Sequence, residues 1–282
     1  MTVSSPIDMY SEQISHRMEG DFLENLPRSS GVYIFKNENA LPLYIGKSMD
    51  IRNRVLSHLR DDAKEKMLKQ ERYLDYIETA GDIGAQIREA QLIKRFSPLF
   101  NIRLRRLRQL YSLRLSENAT GITPTIVTGK NIVIGKTDGL YGLFRSVRAA
   151  QNKLHDLANQ FCLCHGLLGL EKIGHRGCFG VQIKTCLGAC IGQEDRKIHD
   201  QRLLSALEDL KVHIWPYGKP IEVIEERGDW IQRHLIDQWR YLGTFCSRTA
   251  RLDPNPDHGF DLDVYKILVK PIMSATVKIE QK

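Results

Sequence analysis

The sequence predicts an α+β protein: a small antiparallel sheet with surrounding helices, followed by a second mixed α/β domain bearing a cysteine cluster. Three observations carry that prediction. Two β-branched and aromatic runs, GVYIF from Gly31 and LYIG at 43–46, precede helical patterning within 80 residues. An arginine-rich run at 103–108 then separates this texture from a series of short strand-like segments. Five of the six cysteines fall between residues 162 and 190.

At a soft prior of roughly 150 residues per domain, 282 residues allow one large domain or two modest ones. With 42% apolar residues, 27% charged residues and a mean hydropathy of -0.33, the chain is neither membrane-embedded nor largely disordered. It has no apolar run of membrane-spanning length, and its first residues are polar without a hydrophobic leader core, so a cytoplasmic protein with no membrane partner is expected. Lys and Arg number 41 against 34 Asp and Glu, giving +7 and a pI near 9.0. That excess suits a polyanionic partner without demanding one.

Residues 1–22 read as a polar tail. Gly31 opens the first strand, a polar NENALP loop follows, and residues 43–46 return as its hairpin partner. Asp50 is a credible N-cap for a helix with Ile51, Val55 and Leu59 on one face. Further helices are expected over 63–77 and 83–96, the latter ended by Pro98, which closes a first domain at 23–108. The second domain, 109–282, contains the cysteine cluster 162–190. Its expected strands are LYSLRL, TPTIVTG, NIVIG, PIEVIEE, TFCSR and YKILVKP, with helices over 146–161, 200–212 and 230–240.

Several residues in the first domain have the chemistry of phosphodiester hydrolysis. Ala85, Glu89, Ile93 and Phe96 share a helix face, so Glu89 is a carboxylate on an apolar stripe, expensive to bury unless paired or metal-bound. Arg54 and His58 stand one turn apart, and a guanidinium fork can clamp a phosphate oxygen. Tyr33 and Tyr44, on paired strands, can aim both rings to one face. A salt bridge, a surface charge and core tyrosines are the ordinary alternatives for these residues.

The order of these residues decides among the alternatives. GVY at 31–33 and YIG at 44–46, with Lys47 directly after, Arg54 ten residues beyond Tyr44, and Glu89 twelve residues before Asn101, resembles the GIY-YIG nuclease family. PLYIGKS, RVLSHLR, SPLFN, RLRRLRQL and GLLGLE are similar to the short, Cho-type homologues of the excision-repair nuclease UvrC, over nearly the whole chain. The resemblance implies an endodeoxyribonuclease whose catalytic group is Tyr33, Tyr44, Lys47, Arg54, His58, Glu89 and Asn101, with Glu89 as ligand of Mg²⁺ or Mn²⁺. Tyr44 is the favoured general base with Tyr33 hydrogen-bonding, and the reverse stays open; either phenol needs nearby cations to ionise. His58 stands where UvrC-like sequences often carry Tyr, which leaves its role open. Asn101 would fix the end of the Glu89 helix or the metal's outer shell. The implied substrate is damaged double-stranded DNA prepared by UvrA and UvrB, cut once on the 3′ side, with Arg103, Arg105, Arg106 and Arg108 as DNA-binding residues along the backbone. The alternatives are another structure- or sequence-specific GIY-YIG endonuclease and a non-catalytic nucleic-acid-binding module.

Cys164, Cys178, Cys186 and Cys190, with 13, 7 and 3 intervening residues, lack the paired C-x₂-C knuckles of structural zinc. The last three resemble cysteines of UvrC associated with a [4Fe-4S] cluster, which needs four thiolates. Iron–sulfur, zinc and free thiols all remain open. Cys162 is a competing neighbour and Cys246 a small buried residue. His165, His175 and Arg176 read as local polar residues. Trp215, Tyr217, Trp230 and Trp239 offer stacking platforms or, more ordinarily, core.

Overall fold

A computed structural model describes residues 14–18, 22–61, 69–101, 109–128, 132–257 and 259–282. Arg103, Arg105, Arg106 and Arg108 lie outside the described residues. The chain divides into two compact units, residues 1–106 with 217–282, and residues 107–216.

The first unit opens with an antiparallel sheet in the order β1-β4-β2-β3, built from β1 (Ile14–Arg17), β2 (Gly31–Lys36), β3 (Pro42–Ser48) and β4 (Tyr73–Glu78). Every residue of β2 is buried, because helices cover both faces of this inner strand. Tyr33 and Phe35 pack with Ile51 and Val55 of α1 (Ile51–Leu59). Val32 and Ile34 pack with Leu92 and Ile93 of α2 (Asp82–Phe96). This is the period-2 alternation of a strand serving two cores. Asp50 caps α1 as expected, accepting from the Asn53 amide at 2.8 Å. The helix expected over 63–77 is replaced at its end by β4; residues 62–68 lie outside the described set. As an inner strand β4 buries Leu74 and Tyr76 on one face and Ile77 on the other, and Asp75 is paired with Lys36. Apolar residues on both faces of a strand give no clean alternation to read from sequence.

The second unit holds a sheet ordered β6-β5-β7, from β5 (Tyr111–Asn118), β6 (Gly121–Thr128) and β7 (Leu140–Phe144). It packs with α3 (Val147–Gln160) and α5 (Arg196–Leu207) around Leu113, Leu154 and Leu203, and the short α4 (Phe179–Gln182) follows Cys178. Ser146 caps α3. The described part of the NIVIG segment, residues 132–135, is not a strand: it enters a turn at 134–136 where Gly135 takes a positive φ of 90°, and the ladder resumes at β7.

Residues 217–282 form a sheet ordered β11-β10-β9-β8-β12: β8 (Ile221–Arg227), β9 (Trp230–Asp237), β10 (Arg240–Cys246), β11 (Arg251–Pro254) and β12 (Lys278–Gln281). This segment, expected in one domain with the cysteines, clusters with the first unit. The helix expected over 230–240 is β9, whose residues alternate strictly, with Trp230, Gln232, His234 and Ile236 inward. YKILVKP, expected as a strand, lies in α6 (Leu262–Met273), capped by Asp261 and burying Val264, Leu268 and Ile272 at helical spacing. Its Tyr, Ile and Val favour strands intrinsically, but the packed face overrides that preference. Trp230 and Trp239 are fully buried and Trp215 is buried, so all three are core and not stacking platforms. Among the described residues no helix is long and apolar enough to cross a membrane.

Candidate active site and cysteine centre

Register on the β2–β3 hairpin sets Tyr33 opposite Gly46. A Cβ on Gly46 would lie 2.5 Å from the Tyr33 hydroxyl and 2.9 Å from Tyr44 Cε1, so only glycine leaves room for both rings. Tyr33 and Tyr44 share a sheet face with ring centroids 6.1 Å apart. His58 reaches the same group from α1, 5.2 Å from the Tyr44 ring and stacked on Phe35 at 4.4 Å. Behind it the His58 Nε2 meets the buried Glu71 carboxylate at 3.3 Å. Glu71 was not expected; it precedes β4, where a helix was anticipated.

Burial pushes the Tyr33 phenol well above its ordinary range, and Tyr44 adds to the rise, while the Arg54 guanidinium pulls against both. The Tyr33 hydroxyl is buried without a hydrogen bond of normal geometry among the described residues. Arg54 is exposed on α1, and its own pKa is raised chiefly by Tyr33 and further by Tyr44. It also opposes the rise at Glu89, so one guanidinium acts on both tyrosines and the carboxylate.

Glu89 comes from the other side of the sheet. Its Oε1 accepts from the Lys47 backbone amide at 3.1 Å. Burial raises its pKa, Asp82 reinforces this, and Lys47 and Arg54 oppose it. A buried carboxylate is a ligand type that suits a hard cation, which would displace the proton. The Lys47 ammonium does not face the tyrosines: strand alternation turns it to the α2 side, where it pairs with Asp82 at 2.7 Å. Asn101 lies beyond the end of α2, whose C-cap is Ser97. Its amide accepts from Ile45 N and donates to Ile45 O, both at 2.9 Å, and Phe100 N reaches Leu43 O, so the segment pairs with the free edge of β3.

In the second unit, the sulfurs of Cys164, Cys178, Cys186 and Cys190 all lie within 4.8 Å of one another. Amides turn toward them: Cys178 N to Cys190 Sγ at 3.4 Å and Gly188 N to Cys186 Sγ at 3.3 Å. Burial drives the Cys164 and Cys186 thiols up; at Cys178 the same burial is overcome by the Val181 amide and neighbouring thiols, and its pKa falls. Amide donors around four thiols suit thiolates held by a cation. A single tetrahedral ion, with sulfur bonds of about 2.3 Å, separates its sulfurs by about 3.8 Å and fits this spacing; a four-iron cluster uses the same four ligands more widely spread. Cys162 is exposed and outside the group, and Cys246, in the other unit, accepts from Trp230 Nε1 at 3.2 Å. His165 stacks edge-on against His155.

Residues 29–102 match the UvrC-like GIY-YIG domain, 110–209 the middle domain of UvrC/Cho excinucleases, and 220–281 the C-terminal domain of excinuclease Cho. The chain belongs to the Cho excinuclease family. It is 47% identical over 262 residues to excinuclease Cho of Salmonella typhi, covering 92% of this chain and 88% of that one. Against the Cho of Escherichia coli K12 the identity is 44% over 264 residues, with the same shares of the two chains. The UvrABC system protein C of Caldicellulosiruptor saccharolyticus is 28% identical over 72% of this chain and 34% of its own. The GIY-YIG N-terminal endonuclease domain of UvrC from Thermotoga maritima, solved with magnesium as its catalytic divalent cation, is 32% identical; it covers 30% of this chain and 100% of its own, with a TM-score of 0.27. As a Cho-family excinuclease the chain is a DNA-repair endonuclease, and its tyrosines, Arg54 and Glu89 lie within the matched GIY-YIG segment.

Proposed function

We propose that this excinuclease makes the 3′-side incision of a damaged strand in UvrB–DNA complexes, by cation-assisted hydrolysis at Tyr33, Tyr44, Arg54 and Glu89. The observation that carries the reading is geometric: Tyr33 and Tyr44 share one sheet face with ring centroids 6.1 Å apart, and the Lys47 amide of the same hairpin binds the Glu89 carboxylate at 3.1 Å. Glu89 would hold Mg²⁺, which supplies positive charge for the phosphoryl oxygens. Arg54 clamps a non-bridging oxygen and stabilises charge that grows in the transition state. Tyr44 would take a proton from the attacking water as the water oxygen bonds to phosphorus and the bond to the ester oxygen breaks, the departing oxygen taking its proton from solvent. Tyr33, whose pKa is raised, keeps its proton and donates a hydrogen bond, which argues against the reverse assignment. His58, backed by Glu71, buttresses the Tyr44 ring. Lys47 contributes through its amide to Glu89, and Asn101 by holding the edge of β3.

Arg103, Arg105, Arg106 and Arg108 would follow phosphates and make binding salt-dependent. The four cysteines would hold a metal centre. An iron–sulfur cluster is the reading the family resemblance favours, and a single zinc ion the one the sulfur spacing favours. The deciding experiment is incision of a uniquely damaged duplex with and without UvrA and UvrB, mapping the cut. A 3′ cut that requires UvrB supports the reading; equal cutting without UvrB, or none with it, removes it.

A further inference from the structure

The N-terminus of α2 has no cap of its own. Gly81, in the N-cap position, is extended and carries no side chain to accept from the first turn. The acceptor arrives from β8. Glu225 Oε1 takes the Ile83 amide at 2.8 Å and Oε2 takes the Gly84 amide at 2.7 Å, the two donors an N-cap normally satisfies. Both glycines make room for it: a Cβ at Gly81 would lie 2.2 Å from Glu225 Oε1, and one at Gly84 3.1 Å from Oε2.

The carboxylate is itself aimed from behind. His234 Nε2 lies 3.0 Å from Glu225 Oε2, His234 Nδ1 2.7 Å from Thr244 Oγ1, and the Tyr241 hydroxyl 2.7 Å from the same oxygen. One donation order satisfies every group, running Tyr241 to Thr244 to His234 to Glu225. Farther along α2, Arg88 pairs with Asp253, Gln91 with Asn255, and Lys94 with Asp261 and Asp263. The opposite side of the first turn is held by Lys47, which binds Asp82 with its ammonium and Glu89 with its amide.

We propose that Glu225 is a positioning residue for the nuclease: the C-terminal sheet caps α2 in place of the missing side chain and so fixes where Glu89 presents its carboxylate to the cation. The proposal rests on the reading of Glu89 as cation ligand. A helix whose first turn is pinned from two sides cannot slide along the sheet, and a metal ligand one and a half turns on inherits that placement.

The test uses the full chain on a UvrA- and UvrB-loaded damaged duplex, titrated with Mg²⁺. E225A should raise the Mg²⁺ needed for half-maximal incision by roughly 10-fold or more and lower kcat, with KM for DNA unchanged. The double variant E225A/G81D should restore both, because removing Glu225 opens the space for an aspartate N-cap, while G81D alone clashes and impairs incision. If E225A does not fold, E225Q, which keeps one acceptor oxygen, should give an intermediate Mg²⁺ shift. Wild-type Mg²⁺ dependence in a folded E225A or E225Q protein overturns the proposal, as does an E225A/G81D protein that recovers thermal stability but not Mg²⁺ response. E89A separates the two readings. If E89A still cuts, the ligand reading fails; if it is inactive while E225A behaves as wild type, only the role of Glu225 fails.

Discussion

The backbone amide of Lys47 donates to the Glu89 carboxylate at 3.1 Å, tying the YIG strand to the helix that carries the acid. Because the donor is main chain, the contact survives any substitution at Lys47 that keeps the strand. Lys47→Ala should therefore lose the Asp82 pair, a half-exposed interaction of about 0–1 kcal/mol, while incision falls far less than with changes at Glu89. Parallel incision assays and thermal melts check this.

Glu89→Gln should abolish incision while leaving DNA binding by gel shift intact. The sign of its pKa gives a second readout. Burial raises the folded pKa of Glu89, so its ionised form at neutral pH opposes folding, and that opposition fades as pH falls through the raised value. Without Mg²⁺ the Glu89→Gln protein should melt no lower than the parent. Added Mg²⁺ should raise the melting temperature of the parent only. Acidification should raise the Mg²⁺ requirement of incision, because protons compete for the same oxygens.

The two tyrosines should not be equivalent. Tyr44→Phe removes the proposed base and is expected to cost roughly 10²- to 10⁴-fold in single-turnover rate. Tyr33→Phe, at a phenol that holds its proton, should cost less and leave the alkaline limb of the pH–rate profile in place. Arg54→Lys should recover little of what Arg54→Ala loses, since an ammonium cannot reproduce the planar fork.

Gly46→Ala sets a methyl group 2.5 Å from the Tyr33 hydroxyl and should disorder both phenols. Asn101→Ala removes two hydrogen bonds to Ile45 and should lower stability by about 1–3 kcal/mol through the unpaired groups left at the strand edge. Denaturant melts of both variants, set beside their incision rates, distinguish a lost site from a lost fold.

If the four cysteines hold the proposed metal centre, replacing Cys164, Cys178, Cys186 or Cys190 by Ser should release it, whereas Cys162→Ser should not, because that thiol lies outside the group. Metal analysis after anaerobic purification, with absorbance near 400 nm as the iron–sulfur signature, reads both the loss and the identity of the centre.

The sequence by itself determined the hairpin, the Asp50 cap and the helix bearing Glu89, because each is written in local period or capping chemistry; it offered Cys164, Cys178, Cys186 and Cys190 as a candidate group, and only the fold brings their sulfurs within 4.8 Å of one another. The ordered series from Tyr33 to Asn101 carried the family as well. Tertiary structure alone decided the rest. β4 gives no strand period because it buries residues on both faces, β9 because two of its four inward residues, Gln232 and His234, are polar and hide the alternation, and α6 because a packed face overrides β-favouring residues. Strand alternation turned the Lys47 ammonium to Asp82 and away from the tyrosines, and the free edge of β3 claimed Asn101. Glu71 behind His58 is separated from it by 13 positions, and Glu225 from Ile83 by 142. Partners so distant leave no periodic trace in the chain; only folding brings the acid to the helix that lacks a cap.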